Sequence, residues 1–384
     1  QEFTFSTAAE TLSLDEVPLT SSAESRLVFV NGAFDAGLSD HHLPDGISIM
    51  PFEQAAASEK LALQSFFNGS TPHEPHGFLC ANTAFVQSGY VIHIAAKTIV
   101  EKPIEIIFVA NNQKVAAWHC RNIVIADPLS EASIIERHLV VDNKTSYLSN
   151  CVTELHLANG ARLNFYKHQH EAEDAYHIGG VYSQQSRDSH LVTNNIALGG
   201  KITRNDILAE FVGEGAHCEM NGLSVLSGKQ HVDNCTEVIH AKPHCTSDEY
   251  YKSVLDDSSR SVFRGRIVVA KDAQKTDANQ QNRNLLLSGK AEADTKPQLE
   301  IYADDVKCAH GATVGQLDQK SIFYLRSRGI PEEVARALLT FAFASDVVNR
   351  FNLPELRQQL SRQLTDQLLK GFLGSIETDD LLME

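Results

Sequence analysis

A chain of 384 residues, 42% hydrophobic and 21% charged, is long enough to bury a large core in two or three units and reads as an ordinary soluble protein. Its 49 acidic residues against 33 basic ones give a net charge of −16, which repels a phosphate backbone and argues against nucleic acid or an anionic membrane as the main partner. The most apolar windows, such as Ala337 to Ala344, are too short to cross a bilayer, and the opening QEFTFSTAAE lacks a signal-peptide pattern, so a cytoplasmic location is expected.

A start at Gln1 instead of Met leads us to expect a fragment. Seven cysteines (80, 120, 151, 218, 235, 245 and 308) are an odd number without a CxxC pair, which fits a reducing compartment and buried thiols. Three histidines precede cysteines, in His119-Cys120, His217-Cys218 and His244-Cys245. Strand neighbours point to opposite faces, so exposed His beside buried Cys is favoured over chelation.

Residues 1–77 form the first unit, of mixed type, with turn material at Asn31-Gly32, Pro44 to Gly46 and Pro72 to Pro75, and a predicted helix from Pro51 to Phe67. From Phe78 strand follows strand: Tyr90, Ile92 and Ile94 alternate with Val91 and His93, then come Ile104 to Val109 and Ile123 to Ala126. Ala132-Ser133-Ile134, Ala161-Arg162-Leu163, Ser189-His190-Leu191 and Ala216-His217-Cys218 recur at intervals of 29, 28 and 27 residues. That period favours a solenoid over a sandwich, because successive turns stack around one interior and Gly199-Gly200 is the one obvious hairpin-type pair of the repeat region. Residues 78–317 are therefore read as a parallel β-helix. Its raw ends need cover, which the flanking units can supply.

The stretch Lys296 to Tyr324 closes the strands and opens a helical domain, 318–384. Leu299 and Ile301 alternate with polar residues, and Val306, Cys308 and His310 share one strand face. Asp318 starts a helix that Gly329 can stop, Pro331 to Glu333 begin the next, and Asn352 and Pro354 mark the break before the last. There Leu356, Leu360, Leu364, Leu368 and Phe372 form one stripe that must dock, on its own chain as the commoner case or on a partner.

Gly222 to Lys229 has five residues between its glycines where a phosphate loop has four, and Gln230 replaces the magnesium-binding Ser or Thr. Gly213-Glu214-Gly215 lacks a third glycine, and no GxSxG or HExxH occurs. Carboxylates at Asp304-Asp305, Asp256-Asp257 and Glu171, Glu173 and Asp174 leave a carbohydrate-active β-helix enzyme as the alternative reading, although adjacent carboxylates in turns are more often solvated corners. Cys308 and His310 can share a metal, yet structural zinc and iron–sulfur clusters need four ligands, so alone they read as a buried Cys and a bonded His. A second chain at the same edge would change that.

NLLLS (Asn284 to Ser288), KPQLEIYADDVKCAHGATVGQLD (Lys296 to Asp318) and SIFYLRSRGI (Ser321 to Ile330) closely resemble the C-terminal signature of the SufB/SufD family of the SUF iron–sulfur cluster assembly system. The resemblance weakens back through GGKITRNDI (Gly199 to Ile207) to about Phe78, and the Gly311 to Gly315 continuation is similar to the SufD branch. It implies a right-handed parallel β-helix with helical ends, and a non-catalytic scaffold in a complex with SufB and the ATPase SufC, or a homodimer without SufB. His310 matches the histidine associated with a transient, shared iron–sulfur cluster at the SufB interface, and Cys308 a nearby signature cysteine. Leu299, Ile301 and Val306 then belong to the edge that pairs, and Leu338, Leu339, Leu356, Leu360 and Leu364 to the helices that receive the ATPase. A flavin at the level of the complex is left open.

Overall fold

Each repeat holds two strands and two corners, and consecutive strands go to different sheets. The computed structural model describes residues 4–5, 23–40, 43, 45–57, 63–72, 74–111, 116–141 and 146–369. In chain order the first strands are β1 (Thr4–Phe5), β2 (Ser25–Val30), β3 (Ala33–Phe34), β4 (Ile47–Pro51), β5 (Tyr90–Ile94), β6 (Ile104–Ala110), β7 (Ala116–Ala126), β8 (Glu131–Val140), β9 (Tyr147–Leu157) and β10 (Arg162–His170). They continue as β11 (Tyr176–Gln185), β12 (His190–Ala197), β13 (Ile202–Phe211), β14 (His217–Leu226), β15 (His231–His240), β16 (Thr246–Leu255), β17 (Arg260–Val269), β18 (Asp277–Leu286), β19 (Glu292–Ile301) and β20 (Lys307–Gly315). The helices are α1 (Phe52–Ala57), α2 (Gly77–Phe85), α3 (Gln319–Ser327), α4 (Glu332–Val348) and α5 (Pro354–Leu369).

From β5 on, odd strands stack in parallel in one sheet, ending at β19, and even strands in the other, ending at β20. This is the expected parallel β-solenoid. Inward residues of both sheets, among them Ile134, Leu163, Leu191, Cys218, Phe263 and Ala278, fuse into one core. Registered positions such as Leu163, Leu191, Cys218, Ser247, Ala278 and Cys308 lie 27 to 31 residues apart. Corners turn through left-handed backbone, at Asp188 (φ 53) and Gly215 (φ 70) for instance, where glycine and short polar residues cost least.

The sequence pattern misplaces some pieces. Ala132 pairs with Leu163 and not with Ala161, so the first copy of the repeat slips by two, which preserves side-chain parity and hides the error. Gly199-Gly200 is a corner where the chain passes from β12 of one sheet to β13 of the other, not a hairpin. Within the expected helix Pro51 to Phe67, α1 covers only Phe52–Ala57, a 3-10 turn covers Leu63–Ser65, and residues 58–62 lie outside the described ones. Residues 77–85 are helical where strands are expected to begin: His76 caps α2, and Asn82 donates to the carbonyls of Cys120 (2.9 Å) and Asn150 (3.0 Å), fastening α2 across β7 and β9.

The two ends differ. At the N-terminal end β2 adds in parallel to β6, β3 pairs antiparallel with β2, and β4 antiparallel with β5. Antiparallel strands thus close both sheets there. Beyond β19 and β20 no strand among the described residues follows. The expected boundaries hold in the helical part: Asp318 accepts from Lys320 N and Ser321 N, Gly329 has φ +87, Pro331 stands at the N-cap of α4, one residue before the first turn, and α5 begins at Pro354. No described helix is long and apolar enough to cross a membrane.

Candidate functional site

The solenoid's open end gathers the residues of the signature stretch. Cys308 stacks on Ala278 and His310 on Gln280, both inward positions of β18, while Leu299 and Ile301 continue the inward row of Ile267 and Val269. Leu299, Val306 and Cys308 are partly covered by the core above them. His310 is exposed, with no strand among the described residues stacked beyond β20, and Ile301 (40% exposed), Tyr302 (62%) and Val314 (46%) are large apolar side chains left exposed on and next to the same two end strands.

Burial pushes the Cys308 thiol up, and the carboxylate of Asp277 adds to the shift. A thiol in that state is a ligand only when a metal displaces its proton. Above His310 the column continues through Gln280 to Glu249, both wholly buried. Burial pushes the Glu249 carboxyl up to about 7, against the Thr236 hydroxyl that donates to it at 2.6 Å.

The leucine stripe lies elsewhere. Leu356, Leu360 and Leu364 are each 1% exposed and pack, with Val347, Val348 and Phe351, on outward residues of the even sheet, Ile135, Tyr166, Ile196, Leu223, Tyr250 and Val254. They dock on their own chain; Phe372 lies outside the described residues. Polar contacts lock this arrangement, with Arg350 donating to Asp248 (2.8 Å), Lys252 to Asp346 (2.7 Å) and Arg137 to Gln359 (2.8 Å). Leu338 and Leu339 are half-buried, Leu339 against the cluster of Leu285, Leu317 and Ile322 that seats α3. Phe323 (72% exposed) and Tyr324 (54%) are the large apolar side chains that α3 leaves in solvent.

The candidate carboxylates serve corners. Asp257 accepts from Gly228 N at 2.9 Å, Asp305 pairs with Lys275, and Asp174 with Lys201 at 2.9 Å. Glu171 differs, being buried against His177. In the His-Cys dipeptides each Cys is buried as expected, but His119 is covered as well, with Phe85 of α2 at 5.8 Å and Asn150 at 3.0 Å. Sequence reading overlooked the charged interior of the solenoid, Glu136, His138, Lys167 and His177. Its signal was present: in β8 and β10 the inward alternation Ile134-Glu136-His138 and Phe165-Lys167-Gln169 turns from apolar to polar and ionisable.

The family described as SUF system FeS cluster assembly, SufBD core domain, matches residues 108–343, and the SufBD protein N-terminal region matches residues 16–106. An iron–sulfur cluster assembly SufBD family protein of Synechocystis sp. is 31% identical over 89% of this chain and 77% of its own length. The iron–sulfur cluster assembly protein SufD of Escherichia coli is 32% identical over 90% of this chain and 80% of its own. SufD of Bacillus subtilis is 25% identical over 77% and 68%.

Proposed function

The chain belongs to the SufBD family of SUF iron–sulfur cluster assembly proteins, and from that premise we propose that it is a non-catalytic scaffold subunit whose open solenoid end pairs with SufB, or with a second copy when SufB is absent. The observation that carries this reading is the asymmetry of the ends: antiparallel strands cap one, while no strand among the described residues follows β19 and β20 at the other. Strand edges rimmed by Ile301, Tyr302 and Val314 suit a partner that continues the sheets. His310 and Cys308 supply at most two of the ligands a nascent cluster needs, so the partner completes the site.

The cluster is cargo, assembled and passed on. The ATPase SufC docks on the helical part, where Phe323 and Tyr324 are exposed while the leucine stripe is already used internally. Movement of α3 to α5, which are packed on the even sheet that ends in β20, then reaches the interface and opens the site. Replacing His310 by Ala is expected to leave the complex with SufB and SufC assembled on purification yet to lower maturation of iron–sulfur enzymes in cells that depend on it. Wild-type maturation by an assembled H310A complex overturns the assignment.

A further inference from the structure

Deep inside the solenoid, far along the chain from the open end, His138 of β8, Glu171 at the corner after β10 and His177 of β11 bring one ligand atom each to within 4.8 Å of one another. All three are at most 4% exposed. His138 Nε2 lies 2.9 Å from Glu136 Oε1, and a proton shared in that contact belongs to the ring, so in the neutral imidazole Nδ1 carries the lone pair. Nδ1 has no hydrogen-bond partner among the described residues. His177 Nδ1 pairs with Glu171 Oε2 at 2.7 Å, and its Nε2 has no hydrogen-bond partner among the described residues.

A buried nitrogen left without a partner costs about 1 to 3 kcal/mol, and a neutral ring has one lone pair to offer, so His138 Nδ1 and His177 Nε2 call for something that accepts lone pairs. We propose that His138, His177 and Glu171 bind a divalent first-row transition ion, zinc or iron(II), held by two imidazoles and one carboxylate. That donor set suits those ions, whereas calcium and magnesium prefer six or more oxygens. Metal bonds of about 2.1 Å place tetrahedral donors roughly 3.4 Å apart, which lies between the 2.7 Å of the His177–Glu171 pair and the 4.8 Å within which all three ligand atoms fall.

The surroundings fit as well. Glu136 orients His138 in the manner of a carboxylate behind a metal-bound histidine. Phe108 stacks on the His138 ring at 5.0 Å, and the two imidazoles meet edge to face at 4.7 Å. Gln169 donates to Glu171 Oε2 at 3.1 Å and fixes its carboxylate. The Lys167 ammonium turns to Asn205 Oδ1 (3.1 Å) in space that Gly179 leaves free, since a Cβ there would overlap Lys167 Nζ and come within 2.8 Å of His177 Nε2.

The test is metal content of the full chain, produced in cultures supplemented with zinc, cobalt or iron(II) and dialysed against chelator. Wild type is expected to retain about one equivalent per chain and the H138Q/H177Q double variant less than about a tenth. A wild-type chain with native circular dichroism and no retained ion from any of the three cultures overturns the proposal, as does a folded double variant that keeps its equivalent. Cobalt-loaded wild type needs no variant. Ligand-field bands of nitrogen and oxygen coordination support the site, while a thiolate-to-cobalt charge-transfer band moves the ion to the cysteines and overturns it.

Discussion

At the scale of single residues, the interior position of Glu249 carries a pH dependence. Its carboxyl is raised from 4.5 to about 7 by burial, so the folded chain holds a proton that the unfolded chain releases earlier. For a group shifted in this direction, stability is greatest below the unfolded value and falls as pH rises through the folded one, by about 3 kcal/mol in all. Glu249→Gln keeps the shape and removes the titration. Urea unfolding is expected to show the variant gaining on wild type by up to about 3 kcal/mol between roughly pH 5 and pH 8; curves that stay parallel over that range refute the argument. Residue-scale chemistry was partly legible in the sequence. Strand parity alone puts Cys308 and His310 on one face. No spacing joins His138 to His177, because they meet across the interior from different sheets and successive turns.

Elements were legible where a local rule fixes them. Asp318, Gly329, Pro331 and Pro354 bound the helices through caps that need no tertiary context. Helix α2 escaped because Gly77–Phe85 is short and mostly apolar, and such a run cannot be told from a buried strand by periodicity. The stripe on α5 announced that it docks without saying on what. With Leu360 packed among Tyr166, Leu223 and Leu364, replacing it by Ala removes buried methyls and leaves a cavity, an expected loss of about 2 to 5 kcal/mol in denaturant unfolding. The folded variant should still capture SufC, because this stripe faces the solenoid. A stable L360A chain that no longer binds SufC would show that the leucine meets the ATPase instead.

For the whole molecule, the stacking period announced the solenoid, yet which end is closed depends on pairings between β2, β3, β4 and the first turn that no repeat records. Closure at one end directs association to the other. Parallel edges with Ile301 and Val314 beside them bury apolar surface only if a second set of strands continues the stack, and a carboxylate at either position would then lose its water on pairing. Sedimentation of the purified chain is therefore expected to show a dimer, and I301D/V314D a monomer with unchanged circular dichroism that also fails to co-purify with SufB. Replacing Phe323 by Asp, which alters α3 and leaves the edge intact, serves as the matched surface control and should preserve the dimer. If I301D/V314D stays dimeric, association uses another surface, and the uncovered His310 would then need a covering other than a homologous solenoid.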